Sequence, residues 1–174
     1  IYVQGNGLGL RGPEAHRAGY DASCFWARGG FAHVLTPPGQ YPTRPRPALG
    51  DHTGAAYIAF GIASALLHRE RTGEASVVET SLLSSAMWTL SSDVTVTKAL
   101  TDEQLANVSR EGLYAFKRAY QTSDGRWLQL MFLDPERYWP GLCERLNRSQ
   151  WLADPRYCDL DARIEHGDAL IEEM

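Results

Sequence analysis

The fold is decided by residues 51–71, which read DHTGAAYIAFGIASALLHRER. Alanine, leucine, isoleucine and aromatic residues recur through this segment at helical spacing, so the pattern predicts one long helix. Because apolar residues cover most of its circumference, we expect this helix to lie in the protein core. The basic residues near its C-terminal end suit the negative pole of the helix dipole, and the Gly73 that follows them is typical of a helix stop.

Asp51 lies at the start of this predicted helix, directly after Gly50. The sequence leaves two interpretations open. As an N-cap, the carboxylate would only accept a hydrogen bond from a first-turn N–H group that has no partner within the helix. As a functional group, it would be held ionised by the helix N-terminus and could attack a carbonyl carbon.

The segments around the long helix predict an α/β arrangement. Two short β-type runs and two further helical patterns surround it: strands over residues 1–4 and 76–80, and helices over residues 20–34 and 82–92. The first of these helices is expected to loosen at Gly29 and Gly30. The order strand, helix, helix, strand, helix predicts part of a layered α/β structure.

The loop after the first strand reads GNGLGLRGP over residues 5–13. A dinucleotide fingerprint would require a third glycine at the position of Leu10, followed by the start of a helix. The pattern therefore argues against a dinucleotide site. It favours a backbone that approaches some other ligand closely, or a plain loop.

Composition changes after about Thr101, and we expect two domains. An α/β domain over residues 1–101 is followed by a polar linker over residues 102–112 and a small α+β domain over residues 113–174. In the second domain, the turn Ser123-Asp124-Gly125 between two β-type runs predicts a hairpin. Two helices are expected after the hairpin, over residues 135–146 and 160–173.

The composition of the 174 residues argues against several classes of protein. Lys+Arg 17 against Asp+Glu 21 gives a formal net charge of −4, which offers no electrostatic basis for binding nucleic acid. The longest apolar stretch, residues 55–67, is too short to cross a bilayer, so we expect no membrane association. Three cysteines without CxxC spacing and histidines without a paired motif predict no disulfide framework and no metal site. A cytoplasmic location is expected on these grounds.

Other residues have simpler expected roles. Cys24 is expected to be a buried small hydrophobic residue, and Asp21 a first-turn acid favoured by the helix dipole. Aromatic bulk predicts burial of four tryptophans: Trp26, Trp88, Trp127 and Trp139. The chain begins at Ile1 and stops inside a helical pattern, so we expect it to be an internal piece of a longer protein.

Several runs, taken together, closely resemble the family III CoA-transferases, which also include carnitine–CoA transferases, formyl-CoA transferase and α-methylacyl-CoA racemase. These runs are AGYD at 18–21, LGD at 49–51, GIASALLHRERTG at 61–73, ETSLL at 79–83, YQTSDG at 120–125 and WLADPRYCDLDAR at 151–163. The resemblance covers nearly the whole chain in order. One departure is that no glycine-rich loop like that of formyl-CoA transferase lies between Asp102 and Tyr120, which argues against oxalate-type specificity.

The resemblance implies the end of a Rossmann-like large domain, followed by the start of a small α+β domain, in a family of interlocked homodimers. It places Asp51 on the family's catalytic aspartate. The implied reaction moves CoA from an acyl-CoA to a free carboxylic acid through an aspartyl anhydride and an aspartyl-CoA thioester. It also implies a set of residues near CoA: Gln4, Gly5, Asn6, Tyr20 and Asp21.

Two other functions remain open. The racemase branch of the family uses a His–Asp pair as two bases, and Tyr20 stands where that branch has its histidine; a phenol is a poor base at neutral pH, which favours transfer over racemisation. The other alternative is a non-catalytic CoA-binding relative in which Asp51 only caps a helix. Residues 25–30, which read FWARGG, resemble family members that act on 2-hydroxy or aryl-substituted acids.

Overall fold

The computed structural model describes residues 1–37, 39–101 and 114–174, so the predicted linker over residues 102–112 lies outside the described residues. The chain has a mixed helix and strand fold that divides into two compact units, Ile1–Ala99 and Leu100–Met174. The first unit contains strands β1 and β2, a π-helix and four α-helices. In chain order these are β1 Tyr2–Asn6, the π-helix Asp21–Arg28, α1 Phe31–Val34, α2 Leu49–Thr72, β2 Val77–Ser81, α3 Leu82–Thr89 and α4 Ser91–Ala99.

A parallel two-stranded sheet and the helix that connects its strands form the centre of the first unit. Strand β1 pairs with β2 from Tyr2 opposite Val77 to Asn6 opposite Ser81. Helix α2 crosses between the two strands and contacts both of them. It ends as predicted at Gly73, which adopts a φ of 76° and donates its N–H to the carbonyl of Arg69 over 2.8 Å.

Helix α2 is longer than predicted and is not a core helix, so the expected burial is wrong. Of its 24 residues, only Gly50, Gly54 and Ala65 are buried, whereas Phe60 is 73% exposed and Leu67 is 53% exposed. The elements that pack most extensively on α2 are β1, β2, α3 and the π-helix. The buried and half-buried residues of α2 recur at helical spacing along one side, and the remaining side is exposed. A helix's composition predicts that it forms, but its burial depends on its neighbours.

An aromatic cluster holds the π-helix against its surroundings. The ring of Phe31 stacks on Phe25 at 4.7 Å and on Trp26 at 5.9 Å between ring centres. Cys24 is buried beside them, as the sequence predicts, and the expected break at Gly29 and Gly30 separates the π-helix from α1.

The second unit contains a hairpin followed by helices. After a 3₁₀ turn at Tyr114–Phe116, it runs β3 Ala119–Gln121, β4 Trp127–Gln129, α5 Pro135–Arg145, a 3₁₀ turn at Ser149–Leu152, α6 Leu160–Glu165 and α7 Gly167–Glu173. Strands β3 and β4 are antiparallel, with Tyr120 opposite Leu128, and Gly125 takes a φ of 82° in the predicted turn. The helix expected over residues 160–173 is two helices, divided at His166.

Stacked aromatic rings form the core of the second unit. Trp139 and Trp151 stack at 5.8 Å with 4° between their planes, and Tyr157 meets Trp151 edge-on. The buried Arg163 lies 4.8 Å from the ring of Trp139 and donates from Nη1 to the carbonyl of Tyr157 over 2.6 Å. Burial lowers the pKa of this guanidinium.

The expected burial of the tryptophans is half right. Trp26 and Trp139 are buried, whereas Trp88 is 70% exposed and Trp127 is 68% exposed. Trp88 lies near the end of the short helix α3, and Trp127 is the first residue of β4 in a hairpin of only two strands. A two-stranded hairpin offers a large ring little surface on which to be buried.

Candidate active site

The start of α2 differs from the prediction in a way that bears on Asp51. The helix begins at Leu49, and its N-cap is Ala48, which adopts a left-handed φ of 59° and has no side-chain oxygen with which to cap. Asp51 is therefore the third residue of the helix, and the N-cap interpretation of Asp51 is wrong. Its carboxylate lies in the first turn, where the helix dipole favours a negative charge.

Another carboxylate accepts a hydrogen bond from this helix end. Asp21, the first residue of the π-helix, accepts through Oδ1 a hydrogen bond from the backbone N–H of Gly50 over 3.1 Å. Gly50 is buried, and a Cβ atom there would lie 2.3 Å from Cγ of Phe25. The absence of a side chain at Gly50 thus lets the start of α2 lie directly against the π-helix.

A cavity of about 320 Å³ opens in front of Asp51. It lies at the carboxyl ends of β1 and β2, the edge where open parallel sheets place their ligands. The residues that line it are mostly small: Gly5, Asn6, Gly7, Gly19, Asp51, Gly54, Ala55, Ile58, Thr80, Ser81 and Leu82.

Close contact between two backbone segments forms one wall of this cavity. A Cβ atom at Gly7 would lie 2.8 Å from Cα of Gly19, and one at Gly19 would lie 2.3 Å from Sγ of Cys24. Only glycine can occupy these two positions without moving a neighbour. Within the glycine-rich loop after β1, Gly7 therefore serves close approach of backbone to backbone.

Asn6 has one satisfied and one unsatisfied polar atom at the end of β1. Its Oδ1 accepts a hydrogen bond from the N–H of Gly9, which fixes the orientation of the amide. Its Nδ2 is buried and has no hydrogen-bond partner among the described residues. A buried donor without an acceptor is uncommon in folded proteins and is a natural position for a ligand contact.

The comparison with known proteins decides the family. The sequence profile of CoA-transferase family III matches residues 1–174.

The chain belongs to CoA-transferase family III.

Relatives within this family agree with that assignment. The chain is 28% identical over 173 residues to (R)-2-hydroxy-4-methylpentanoate CoA-transferase of Clostridioides difficile, covering 99% of this chain and 43% of that protein. It is also 28% identical over 179 residues to cinnamoyl-CoA:phenyllactate CoA-transferase of Clostridium sporogenes, covering 100% and 43%. This family III chain thus spans less than half the length of these two relatives.

A solved structure shows the same fold. The orthorhombic crystal structure of Rv3272 from M. tuberculosis superimposes with a TM-score of 0.78 at 24% identity, over 99% of this chain and 44% of that one. At this identity the match supports the fold of the family III chain and nothing finer.

The structure brings together three of the six candidate site residues of this family III chain. Gly5, Asn6 and Asp51 line one cavity. The other three do not line it: Gln4 lies one residue earlier in β1, Tyr20 is 77% exposed at the start of the π-helix, and the Asp21 side chain is bonded to Gly50.

Sequence reasoning missed the residues at the end of β2. Ser81 is buried and accepts through Oγ a hydrogen bond from the N–H of Ser84 over 3.0 Å, which caps α3. Ser81 also pairs with Asn6 across the sheet and lines the cavity beside Thr80. The signal was present, because a serine between a predicted strand and a predicted helix is a common cap at the edge where ligands bind.

Within residues 1–37, 39–101 and 114–174, no group of three or more histidine, cysteine, aspartate or glutamate side chains is arranged to hold a metal ion. Across the same part of the chain, no helix combines the length and the apolar character needed to cross a membrane.

Proposed function

We propose that the protein to which this chain belongs moves CoA from an acyl-CoA to a free carboxylic acid, with Asp51 as the nucleophile. The observation that carries the proposal is the position of Asp51 in the first turn of α2, facing a cavity at the carboxyl ends of β1 and β2. Membership of a family with several named CoA-transferases supports the reaction class.

The proposed reaction begins with attack on the thioester. One oxygen of the Asp51 carboxylate adds to the thioester carbonyl carbon, the C–S bond breaks, and CoA leaves as a thiolate, which gives a mixed acyl–aspartyl anhydride. The thiolate then attacks the aspartyl carbonyl of this anhydride. The donor acid leaves as a carboxylate, and an aspartyl-CoA thioester remains on Asp51.

The second half repeats these steps in reverse with the acceptor. The acceptor carboxylate attacks the aspartyl-CoA carbonyl and releases the thiolate, which forms a second anhydride. The thiolate then attacks the acyl carbon of the acceptor, so the products are the new acyl-CoA and a regenerated Asp51 carboxylate. No net redox change or proton loss occurs.

CoA is proposed to lie along the end of β1 and the segment that precedes the π-helix, near Gln4, Gly5, Asn6, Tyr20 and Asp21. Asp21 is included by its position in the chain, because its Oδ1 accepts a hydrogen bond from the Gly50 N–H and not from CoA. Two features support this placement. Gly5 and Asn6 border the same cavity as Asp51, and the buried Nδ2 of Asn6 has no acceptor among the described residues. These five residues remain predictions from the family resemblance until CoA contacts are measured.

The acceptor is proposed to be a 2-hydroxy acid, because two of the relatives are named for 2-hydroxy-4-methylpentanoate and phenyllactate. The FWARGG run at residues 25–30 also resembles members that act on such acids. Phe25 and Trp26 are themselves buried and stacked on Phe31, so we assign them to the core beneath the site and not to the acid pocket.

The proposed assembly rests on the family resemblance, and the proposed location rests on the cysteine pattern of the sequence. We propose that the full-length protein is an interlocked, cytoplasmic homodimer in which residues 1–101 belong to the large domain and residues 113–174 to the small one. Sedimentation equilibrium of the full-length protein gives its mass directly, and a monomer at micromolar concentration would contradict this proposal.

The experiment that tests the function is chemical trapping on Asp51. The full-length protein is incubated with a panel of acyl-CoA donors, treated with hydroxylamine or borohydride, digested and analysed by mass spectrometry. We expect a hydroxamate or a reduced side chain at Asp51. The Asp51→Asn variant is the matched control and should carry neither, and an exposed aspartate such as Asp93 should stay unmodified in both proteins.

The two rival functions give different results. A racemase would exchange the α-proton of the acyl-CoA with deuterated solvent in the absence of any acceptor acid. A non-catalytic relative would bind acyl-CoA with equal affinity in wild type and Asp51→Asn. Neither protein would transfer CoA to an acceptor acid. An unmodified Asp51 with acyl-CoA demonstrably bound would therefore refute the transferase proposal.

A further inference from the structure

We propose that Asp21 is a positioning residue for Asp51, acting from the π-helix as the missing cap of α2. The inference rests on the proposed function, in which Asp51 is the nucleophile. It concerns the hydrogen bond from the Gly50 N–H to Asp21 Oδ1, which spans 3.1 Å and joins residues 29 positions apart in the chain.

The start of α2 needs an acceptor that its own sequence does not supply. A helix N-terminus leaves its first N–H groups without partners inside the helix, and a Ser, Thr, Asn or Asp at the N-cap usually accepts from one of them. Here the N-cap is Ala48, which cannot accept, and no side-chain cap is present. Asp21 supplies that acceptor from another element, and the N–H it binds belongs to Gly50, the residue directly before Asp51.

The fit between Gly50, Phe25 and Asp21 is tight. Gly50 is buried, and a Cβ atom there would lie 2.3 Å from Phe25 and 2.6 Å from Asp21 Oδ1. Phe25 is itself fixed by stacking on Phe31. The backbone that leads into Asp51 is therefore held by contact with Phe25 and by the hydrogen bond to Asp21 together.

Such a restraint matters for a carboxylate that first attacks the donor thioester and is then itself attacked at its carbonyl carbon, by the thiolate and by the acceptor, in one catalytic cycle. A reacting carboxylate contributes most when it is held near the attack geometry, and small displacements at the reacting atoms cost large factors in rate. Asp21 acts through the backbone of Gly50 without touching substrate in this role, so its removal is expected to lower kcat more than it changes binding.

The kinetic test uses four variants of the full-length protein. We expect Asp21→Ala to lower kcat by at least about tenfold, the loss typical of one charge-assisted hydrogen bond, with KM for acyl-CoA within about twofold of wild type. Asp21→Asn keeps an acceptor oxygen and should retain kcat within about threefold. Asp93→Ala and Asp93→Asn are the matched controls, because Asp93 is an exposed first-turn aspartate of α4 in the same unit.

A second readout does not depend on catalysis. Hydrogen exchange of a peptide that covers residues 49–56 should be faster in Asp21→Ala than in wild type, unchanged in Asp21→Asn, and unchanged in both Asp93 variants. If the wild-type protein transfers no CoA, the proposed function fails, and this exchange measurement still decides whether Asp21 holds the start of α2. Unchanged exchange elsewhere in the chain would show that Asp21→Ala is folded.

Three outcomes would overturn the proposal. Equal exchange over residues 49–56 in wild type and Asp21→Ala would show that the hydrogen bond does not hold the helix end. An equal loss of kcat in Asp21→Asn and Asp21→Ala would show that the negative charge matters and not the accepted hydrogen bond. A raised KM for acyl-CoA at unchanged kcat would assign Asp21 to direct CoA contact.

Discussion

The two units of the chain bury their large side chains in different ways. In Leu100–Met174, Trp139, Trp151 and Tyr157 stack into a closed core. In Ile1–Ala99, the buried side chains are few and centre on the π-helix, whereas large side chains of α2 and α3 remain exposed.

A second cavity in the first unit is lined by some of these exposed large side chains. It has a volume of about 630 Å³ and lies between α2, β2 and α3, where Phe60, Trp88 and Val78 line it. It also shares Thr80 with the smaller cavity in front of Asp51. Near the candidate nucleophile, the first unit packs through close contacts at glycines, whereas the core of the second unit packs through stacked side chains.

The largest expected effect is on catalysis in the first unit. Asp51→Asn removes the nucleophilic oxygen and should lower kcat on the order of 10³-fold or more, as is usual for loss of a nucleophile. The exposed position of Asp51 predicts an unchanged fold. Steady-state transfer assays with circular dichroism check both points, and substantial residual activity would contradict the assignment.

The next effect tests the stacked core of the second unit. Trp151→Ala removes a buried ring that stacks on Trp139 and donates from Nε1 to Glu173, and it should cost about 3–5 kcal/mol of local stability. Trp127→Ala is the matched control, because that ring is 68% exposed, and it should stay within about 0.5 kcal/mol of wild type. Native-state hydrogen exchange of α5 measures both, and similar losses would refute the contrast.

A glycine pair compares the two units directly. Gly50→Ala forces a methyl group to 2.3 Å from Phe25, so it should destabilise the first unit by about 1–3 kcal/mol and lower transfer activity. Gly141→Ala in α5 meets no atom within 4 Å and should stabilise the second unit by about 0.5–1 kcal/mol. Thermal unfolding of both variants checks the opposite signs. Equal shifts would show that the close contact at Gly50 is unimportant.

The smallest effect is a pH dependence in the second unit. Hydrogen bonds from Tyr157, Arg156 and Trp151 lower the pKa of the Glu173 carboxyl. Because the folded-state pKa is below the unfolded value of about 4.3, the stabilisation is present above that pH and is lost as pH falls through the folded pKa. Glu173→Gln should weaken the loss of unfolding free energy at acid pH, measured by tryptophan fluorescence during denaturation. An unchanged pH dependence would contradict this.

Much of the fold could be predicted because it depends on local signals. The helix over residues 51–71, its stop at Gly73 and the hairpin turn at Gly125 follow from periodicity and from the need for positive φ. The start of α2 could not be predicted. Its N-cap is Ala48 in a left-handed conformation, which no local preference favours, and the hydrogen bond that replaces the cap comes from Asp21, 29 residues earlier.

Burial was the other limit of the sequence. The apolar circumference of α2 predicts burial, but the elements that contact it in its unit cover one side only. The sequence also did not predict that the charged side chain of Arg163 is buried. Its burial depends on contact with the ring of Trp139, which is distant in sequence. At the site, Asp51 and Asn6 could be identified as candidates and Ser81 carried a signal that was missed, whereas the positioning contact of Asp21 required the structure.

The most direct test of the central claim follows an oxygen atom. In the proposed cycle, one oxygen of the acceptor acid remains on Asp51 when the thiolate takes the acyl group. The full-length protein is therefore turned over with an acyl-CoA and an acceptor acid labelled in its carboxylate with ¹⁸O, and the peptide containing Asp51 is analysed by mass spectrometry. The account predicts a single ¹⁸O in that carboxylate after one turnover, with enzyme in excess over acyl-CoA, and a second ¹⁸O on repeated turnover, whereas completed transfer with an unlabelled Asp51 would contradict it.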